Sequence, residues 1–255
     1  MTDTHAHIYL PEFDLDRNDI ILRAKETGVT KIFLPNIDRD SITSMLQLCA
    51  KEINFCYPMM GLHPCSVKEN YAEELELITQ YLRDSRYKFY GIGECGLDYF
   101  WDISLIKEQK IAFEFQIELA KKYKLPIIIH SRNAVDDCIE LIAKHKDENL
   151  NGIFHCFSGT SEQLEKIIAL GFYAGIGGVA TFKNGGLDTV LKKEHISYLV
   201  LETDSPYLAP VPFRGKRNEP AYLKYVLKRL SEILNTSEQE LLEATESNAT
   251  RIFKV

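Results

Sequence analysis

Apolar segments rich in β-branched residues alternate with amphipathic segments along the whole chain. A short apolar run bounded by turn residues is typical of a buried strand, whereas apolar residues at every third or fourth position indicate a helix. The pattern predicts helices such as 72–82, in which Leu75, Ile78 and Leu82 share one face, and 104–123. It predicts eight strands, at residues 3–8, 31–36, 55–62, 89–94, 126–131, 152–157, 172–177 and 198–204.

Strands that alternate with helices predict parallel βα units, and their apolar character indicates that both faces are covered. A closed barrel and an open doubly wound sheet both have this pattern. The dinucleotide-binding open sheet is disfavoured because no GxGxxG motif follows the first strand, and polar residues at the ends of many strands favour the barrel. Residues 205–220 form a long loop and no segment resembles a linker, so we predict a single (β/α)8 TIM-barrel domain spanning residues 1–255.

The amino-acid composition indicates in which compartment the protein is expected. The 255 residues are 45% apolar and 26% charged, as in soluble globular proteins. The chain has neither the apolar run of about 18 residues that spans a membrane nor a signal-peptide pattern at its start. Its six cysteines lack CxxC spacing, which indicates reduced, buried thiols. We therefore expect a cytoplasmic protein with no membrane association and no obligate protein partner.

Candidate metal ligands begin in the first strand. Side chains alternate along a strand, so His5 and His7 point to one face and either bind one cation together or are ordinary polar histidines. Glu94 follows an apolar run between glycines, where a buried carboxylate needs a charge partner. It either bridges two cations or forms a salt bridge, whereas Asp98 is expected to order the following loop.

Three later strands also end in a candidate ligand. His130 and His155 end consecutive apolar strands at equivalent points, which favours a shared function over two structural histidines. Asp204 closes the eighth strand, because Pro206 cannot extend the ladder. Glu202 points to the same face of the strand as Asp204 but lies deeper in the barrel. It either supports the ligands from behind or forms an ion pair in the core. Cys95 and Cys156 each lie one residue from a ligand and are expected to face away from it.

These residues combine into one candidate site. Histidine nitrogens and carboxylate oxygens suit Zn²⁺ or Mn²⁺, and Mg²⁺ when waters complete the sphere. Six ligands with an acidic bridge exceed what one tetrahedral ion needs, so we predict two divalent cations about 3.5–4 Å apart. The predicted ligands are His5, His7, Glu94, His130, His155 and Asp204.

At these residues the chain resembles the TatD-type metal-dependent deoxyribonucleases of the amidohydrolase-like barrel superfamily. The matching segments run through almost the whole chain in order. Related phosphotriesterase and dihydroorotase barrels often bridge their metals with a carboxylated lysine, so Glu94 at the end of the fourth predicted strand favours the TatD-type family. Cys95 and Asn133 depart from the family pattern without altering the ligand set. The segments are DTHAH, GLHP (61–64), GIGECGLDY, IIIHSR, HCFSG, LETDSPYLAP, RGKRNEP (214–220) and NATRIF (248–253).

The resemblance implies a role for each matched position. His5, His7, Glu94 and Asp204 would hold one metal, and His130 and His155 would complete a second that Glu94 bridges. His63 would contact a substrate phosphate, and the activity would be hydrolysis of DNA phosphodiester bonds, often from the 3′ end. Asp204, as a ligand touching the metal-activated water, is the expected general base.

Charge and aromatic residues suggest how a substrate is held. The net charge of −7 opposes a tight grip on long duplex DNA, so DNA ends or short oligonucleotides are the expected partners. Arg214, Lys216 and Arg217 form a local basic patch that either binds phosphate or is ordinary surface charge. The segment 99–101, Tyr-Phe-Trp, either stacks a base or packs as a lid.

Two other functions fit the same residues. A binuclear hydrolase of a cyclic amide, lactone or other small molecule would keep the metals and change the substrate, because fold and metals do not fix the bond that is cleaved. His63 and the basic patch favour the nuclease over this alternative. A non-catalytic metal-binding or nucleic-acid-binding protein is disfavoured by the complete ligand set.

Overall fold

The computed structural model describes residues 1–255. Its strands are β1 (Thr2–Asp3), β2 (Lys31–Pro35), β3 (Cys56–Met59), β4 (Ile92–Asp98), β5 (Ile127–Arg132), β6 (Gly152–Phe154), β7 (Tyr173–Ile176) and β8 (Leu199–Leu201). Its α-helices are α1 (Arg17–Glu26), α2 (Arg39–Lys51), α3 (Tyr71–Arg83), α4 (Ile106–Tyr123), α5 (Val135–His145), α6 (Ser161–Ala169), α7 (Leu187–Val190), α8 (Leu223–Leu234) and α9 (Glu238–Phe253). None of the helices is long and apolar enough to cross a membrane.

All eight strands are parallel and follow one another in sequence order. Continuous ladders join β1 to β3 and β4 to β8, and isolated bridges join these two sheets. One bridge pairs Met60 with Ile92, and the other pairs Ala6 with Ser205. The amide of Thr4 also donates to the carbonyl of Leu201 at 3.0 Å. The chain therefore has the predicted (β/α)8 TIM-barrel fold, with two irregular seams.

Apolar side chains from six strands close one end of the barrel. They pack with three residues of α9, and the rings of Phe33 and Phe253 stack with 3.6 Å between their centroids. The cluster contains Phe33, Tyr57, Met59, Ile128, Ile153, Tyr173, Val200, Ala249, Ile252 and Phe253. Because this end is filled, only the carboxyl ends of the strands are left to form a cavity, and this is the end at which barrel enzymes carry their active sites.

The predicted strand at 89–94 is displaced from the observed β4. The pairing of β4 with β5 continues as far as Asp98 and Arg132, so Glu94 lies inside the strand and Asp98 ends it. The strands β1, β6 and β8 are shorter than predicted, so His5, His155 and Asp204 lie just beyond their ladders, whereas β5 keeps its predicted length and contains His130. The single-domain boundary stays a prediction.

Candidate metal centre

A cavity of about 1490 Å³ opens at the carboxyl ends of the strands. His5 lies directly behind its wall and is fully buried. The structure thus brings all seven residues predicted for metal binding and catalysis to one place, although they come from distant parts of the sequence. The predicted residues in its lining are His7, His63, Glu94, His130, His155 and Asp204.

One oxygen of Glu94 faces the two histidines that follow β1. Glu94 Oε2 lies 3.0 Å from His5 Nε2 and 3.3 Å from His7 Nε2. Asp204 Oδ1 completes this group, at 3.8 Å from His5 Nε2 and 3.6 Å from His7 Nε2. We call His5, His7, Asp204 and Glu94 Oε2 the inner half of the site.

The other oxygen of Glu94 faces three different histidines. Glu94 Oε1 lies 2.8 Å from His130 Nδ1 and 3.0 Å from His155 Nε2. His63 Nε2 lies 3.3 Å from the same oxygen. We call His63, His130, His155 and Glu94 Oε1 the outer half of the site.

These separations suit ligands that share a cation. Zinc–nitrogen bonds of about 2.0–2.1 Å in a tetrahedron place neighbouring ligand atoms about 3.4 Å apart. Each half converges several nitrogen and oxygen atoms at about that spacing around one oxygen of Glu94. The donor set therefore fits two divalent cations that share the Glu94 carboxylate.

Hydrogen bonds behind His7 fix its tautomer. The Tyr9 hydroxyl donates to the carbonyl of Pro35 at 2.5 Å, so it must accept at His7 Nδ1, which is 3.0 Å away. His7 Nδ1 then carries the proton and Nε2 presents a lone pair to Glu94 and Asp204. A lone pair aimed at two carboxylates is unfavourable without a cation between them, and a partner on the second ring nitrogen is what metal-binding histidines have.

Asp98 has a similar relation to His130. Its Oδ2 accepts from His130 Nε2 at 2.8 Å, which leaves the His130 Nδ1 lone pair facing Glu94. Its Oδ1 accepts from the backbone amides of Phe100 and Trp101 at 2.9 and 3.0 Å. The loop-ordering contacts expected of Asp98 are therefore present, and the same carboxylate also orients a candidate ligand. Sequence reasoning missed this second contact.

His63 differs from the other histidines of the outer half. Its Nδ1 accepts from the amide of Cys65 at 3.1 Å, so the proton must lie on Nε2. That N–H points to Glu94 Oε1 and to His130 Nδ1, both 3.3 Å away. A protonated nitrogen cannot bind a metal, so the geometry makes His63 a hydrogen-bond donor at the centre of the site.

Glu202 lies beneath the site and is fully buried. Its Oε1 accepts from the amide of Cys156 at 2.6 Å and lies 3.3 Å from His155 Nδ1. Its Oε2, His155 Nδ1 and His5 Nδ1 have no hydrogen-bond partner in the protein. Room for this carboxylate depends on Gly175, because a Cβ there would lie 2.1 Å from Glu202 Oε2.

The electrostatics of the cavity favour cations. Burial would raise the pKa of Glu94, but the charges of His155 and His5 hold that pKa well below its usual value. Burial raises the pKa of Asp204 to about 6, against the opposing charges of His155 and His7. Glu94 therefore stays anionic within a ring of imidazoles, and Asp204 has the proton affinity that a base near neutral pH requires.

The predicted basic patch does not reach this cavity. Arg214, Lys216 and Arg217 are absent from its lining. The Arg217 guanidinium is bound to Asp16, with nitrogen–oxygen distances of 3.0 and 2.5 Å, and that of Arg214 lies over the ring of Phe182. They therefore lie outside the cavity, and their binding of a substrate phosphate stays a prediction.

Arg132 is instead the only arginine or lysine that lines the cavity. It lies two residues after His130 in β5, so the two side chains share a face. The alternation that related His5 to His7 could have found it in the sequence.

The two cysteines next to candidate ligands behave differently. Cys95 is fully buried, and its Sγ contacts the carbonyl of Ile128, as strand alternation predicts. Cys156 lines the cavity, contrary to expectation. The reason is that β6 ends at Phe154 and Cys156 has a φ of 49°, so strand alternation no longer applies at this position.

Comparison with known proteins extends the likeness over the whole barrel. Residues 2–254 match the family model described as TatD related DNase. The chain is 39% identical to the uncharacterized metal-dependent hydrolase YabD of Bacillus subtilis, over 99% of this chain and 98% of the relative. It is 31% identical to the 3′-5′ ssDNA/RNA exonuclease TatD of Yersinia pseudotuberculosis, over 100% of both chains. The crystal structure of YJJV, a TatD homolog from Escherichia coli, superposes with a TM-score of 0.93 at 31% identity, covering 100% and 98% of the two chains.

Proposed function

This chain belongs to the TatD-related DNase family of metal-dependent hydrolases, and from that premise we propose that it hydrolyses phosphodiester bonds at the 3′ end of single-stranded DNA. The observation that carries the proposal is the division of the two Glu94 oxygens between two groups of ligand atoms, with the His63 N–H directed at Glu94 Oε1 in the outer half. Hydrolysis of a phosphodiester is promoted by positive charge on both sides of the phosphorus and by a hydrogen-bond donor to the non-bridging oxygens.

Two divalent cations would occupy the two halves of the site. His5, His7, Asp204 and Glu94 would hold one of them. His130, His155 and Glu94 would hold the other. When bound, such cations lower the pKa of a water molecule and stabilise charge on the phosphoryl oxygens. Zn²⁺, Mn²⁺ and Mg²⁺ all suit these donors.

Three side chains would act on the substrate and the water directly. Asp204 would accept the proton of the attacking water, since its carboxylate is exposed to the cavity by 13%. His63 Nε2–H, which faces Glu94 Oε1 in this structure, would donate a hydrogen bond to a phosphate oxygen when substrate is bound. Glu94 would hold both cations at a fixed separation while charge develops. Their scaffold is the set of buried contacts made by Tyr9 and Asp98.

Single-stranded ends are the substrate that the cavity favours. The net charge is −7, and Arg132 is the only arginine or lysine in the cavity wall, so the cavity lacks the basic lining that would grip a duplex. A relative that is 31% identical is named a 3′-5′ ssDNA/RNA exonuclease. That name supports both the polarity and the single-stranded substrate proposed for this chain.

The proposal is tested by cleavage of end-labelled DNA. Metal-stripped protein is supplied with Mg²⁺, Mn²⁺ or Zn²⁺ separately and incubated with single-stranded oligonucleotides labelled at the 5′ or the 3′ end. We expect stepwise shortening of the 5′-labelled strand and immediate release of a labelled mononucleotide from the 3′-labelled strand. Turnover confined to lactones or cyclic amides, with no cleavage of DNA by any metal form, would replace the nuclease by the rival hydrolase.

A matched pair of variants separates catalysis from folding. Asp204→Asn should abolish cleavage in every metal while leaving the circular dichroism spectrum unchanged, because the amide cannot accept the proton of water. Asp188→Asn changes an exposed aspartate of α7 in the same way and should keep full activity. Cleavage by Asp204→Asn at the wild-type rate would defeat the role given to Asp204.

A further inference from the structure

We propose that Phe100, Trp101 and Arg132 form a stacking subsite for an unpaired nucleobase, next to the nucleotide whose bond is cleaved. The inference rests on the proposed nuclease function and adds to it where the strand is held. Phe100 and Trp101 are 50% and 69% exposed, and neighbouring exposed apolar side chains at the edge of a cavity can mark a binding site. Trp101 and Arg132 both line the cavity that holds the candidate metal ligands.

The three side chains pack against one another. The Arg132 guanidinium lies over the Phe100 ring at 3.7 Å and over the Trp101 ring at 5.4 Å. Phe100 and Trp101 meet edge to face, with 5.0 Å between their centroids. The arginine and the phenylalanine therefore hold one another in place, and the larger ring of Trp101 is left open to solvent. Aromatic faces and arginine planes are the groups that stack unpaired bases.

The subsite is fixed relative to the metal ligands. Asp98 Oδ1 accepts from the amides of Phe100 and Trp101, and Asp98 Oδ2 accepts from His130. Buried Gln109 donates to the carbonyls of Asp98 and Asp102, both at 3.3 Å, and clamps the same turn. One carboxylate thus connects the aromatic turn with the outer half of the site, so a base held here would set the position of the neighbouring phosphate.

Charge at this rim also suits a nucleotide. The Arg132 side chain makes no ion pair with any carboxylate of the protein, whereas Arg217 is held by Asp16. Arg132 follows His130 by two residues of β5, so it lies about 7 Å closer to the mouth of the cavity than His130 does. It can therefore neutralise the next phosphate on the 5′ side of the cleaved one. Tyr99 is excluded from the subsite because its hydroxyl donates to Asp137 at 2.7 Å.

Fluorescence of Trp101, the only tryptophan of the chain, tests the subsite without any catalysis. Metal-stripped protein in chelator is titrated with a short oligothymidylate, and then with an abasic oligonucleotide of equal length and charge. We expect saturable quenching and a spectral shift with oligothymidylate, and binding at least about fivefold weaker with the abasic strand. Equal affinity and equal quenching for the two strands would overturn the proposal.

Variants extend the test to turnover. With fluorescein-labelled oligonucleotide, Trp101→Ala and Phe100→Ala should weaken binding by at least about fivefold, the loss expected for one stacked base. In the metal-loaded enzyme, Trp101→Ala should raise KM for DNA by a similar factor and leave kcat nearly unchanged. Ile103→Ala is the matched control, because Ile103 is 64% exposed in the same loop and lies outside the cavity lining.

The outcomes distinguish this subsite from the function on which it rests. Wild-type affinity and KM in Trp101→Ala would refute the subsite even if the enzyme cleaves DNA. If Trp101 fluorescence is quenched only by strands that carry bases, but no metal form of the protein cleaves DNA, the nucleobase site would stand and the proposed nuclease activity would be refuted. An equal loss of affinity in Ile103→Ala and Trp101→Ala would assign the effect to the loop as a whole and also refute the subsite.

Discussion

The inner and outer halves of the site use the same kinds of ligand atom but differ in depth. His5 and His7 in the inner half are 0% and 2% exposed, whereas the side chains of His63 and His130 in the outer half are each 15% exposed. Asp204 and His155 do not follow this contrast, since their side chains are 13% and 4% exposed. The inner half is backed by Tyr9, and the outer half opens on Trp101 and Arg132. Chemically similar donors could therefore serve different purposes: we expect a cation held by His5 and His7 to be retained more firmly than one held by His130, which lies on the open side of the cavity.

The largest effect should come from the residue that belongs to both halves. Glu94→Gln replaces one oxygen by an N–H₂ group that repels a cation, so we expect kcat/KM to fall by at least about a thousandfold, ~4 kcal/mol of barrier. Metal content measured by mass spectrometry should fall in both halves together. Loss of one equivalent with the other fully retained would show that Glu94 serves one half only.

The next effect should separate the halves. A chelator reaches the exposed outer half first, so we expect the two cations to leave the wild-type protein in two kinetic phases. His130→Ala should abolish the faster phase, leave the slower one, and reduce kcat by about a hundredfold or more, since it removes a ligand. His5→Ala is the comparison variant from the inner half. Loss of the slower phase in His130→Ala would show that the outer half, and not the inner half, holds its cation more firmly.

A smaller effect should follow from the carboxylate behind His130. Asp98→Asn can still accept from the backbone amides, but its N–H₂ group would face His130 Nε2 and disfavour the tautomer that presents Nδ1 to a cation. Changes at such supporting partners cost about 10–100-fold in metal affinity or activity. Asp102→Asn alters an exposed carboxylate that accepts from Ser104 in the same turn and should change activity by less than about twofold. Equal losses in both variants would point to the loop and not to His130.

The smallest effect should lie outside both halves, in the basic patch after β8. Arg217 pairs with Asp16 at the surface, so Arg217→Ala should cost about 0.2–1 kcal/mol of stability and leave kcat/KM within about twofold. Thermal melting and steady-state kinetics on oligonucleotides measure the two quantities. A tenfold rise in KM would indicate that Arg217 contacts the substrate, as predicted from the sequence.

Much of this arrangement could be read from the sequence, because strand periodicity carries geometric information. The alternation of His5 and His7, and apolar runs that end in His130, His155 and Asp204, place these side chains at one end of parallel strands. The structure brings them to one cavity. The glycines around Glu94 permit close backbone approach, since a Cβ at Gly96 would lie 2.1 Å from the His130 carbonyl oxygen.

The features that sequence reasoning missed depend on where strands end and on how loops fold. Cys156 lines the cavity because its left-handed backbone breaks the alternation. Arg217 turns away because Asp16, 201 positions earlier, takes its guanidinium. The tautomer of His63 depends on one backbone amide. The contact of Arg217 depends on packing between distant segments, and those of Cys156 and His63 depend on loop conformations that strand alternation does not describe.

The two irregular seams of the barrel would give bound cations a second, structural role. His5 and His7 follow a strand of the three-stranded sheet, whereas Glu94 and Asp204 belong to the five-stranded side. Ions held between them would fasten the cylinder where its regular ladders stop, so that assembly of the reaction centre and closure of the scaffold become one event. In amide hydrogen exchange, the stripped protein should then open first along these joints, while the ladder from β4 to β8 stays protected.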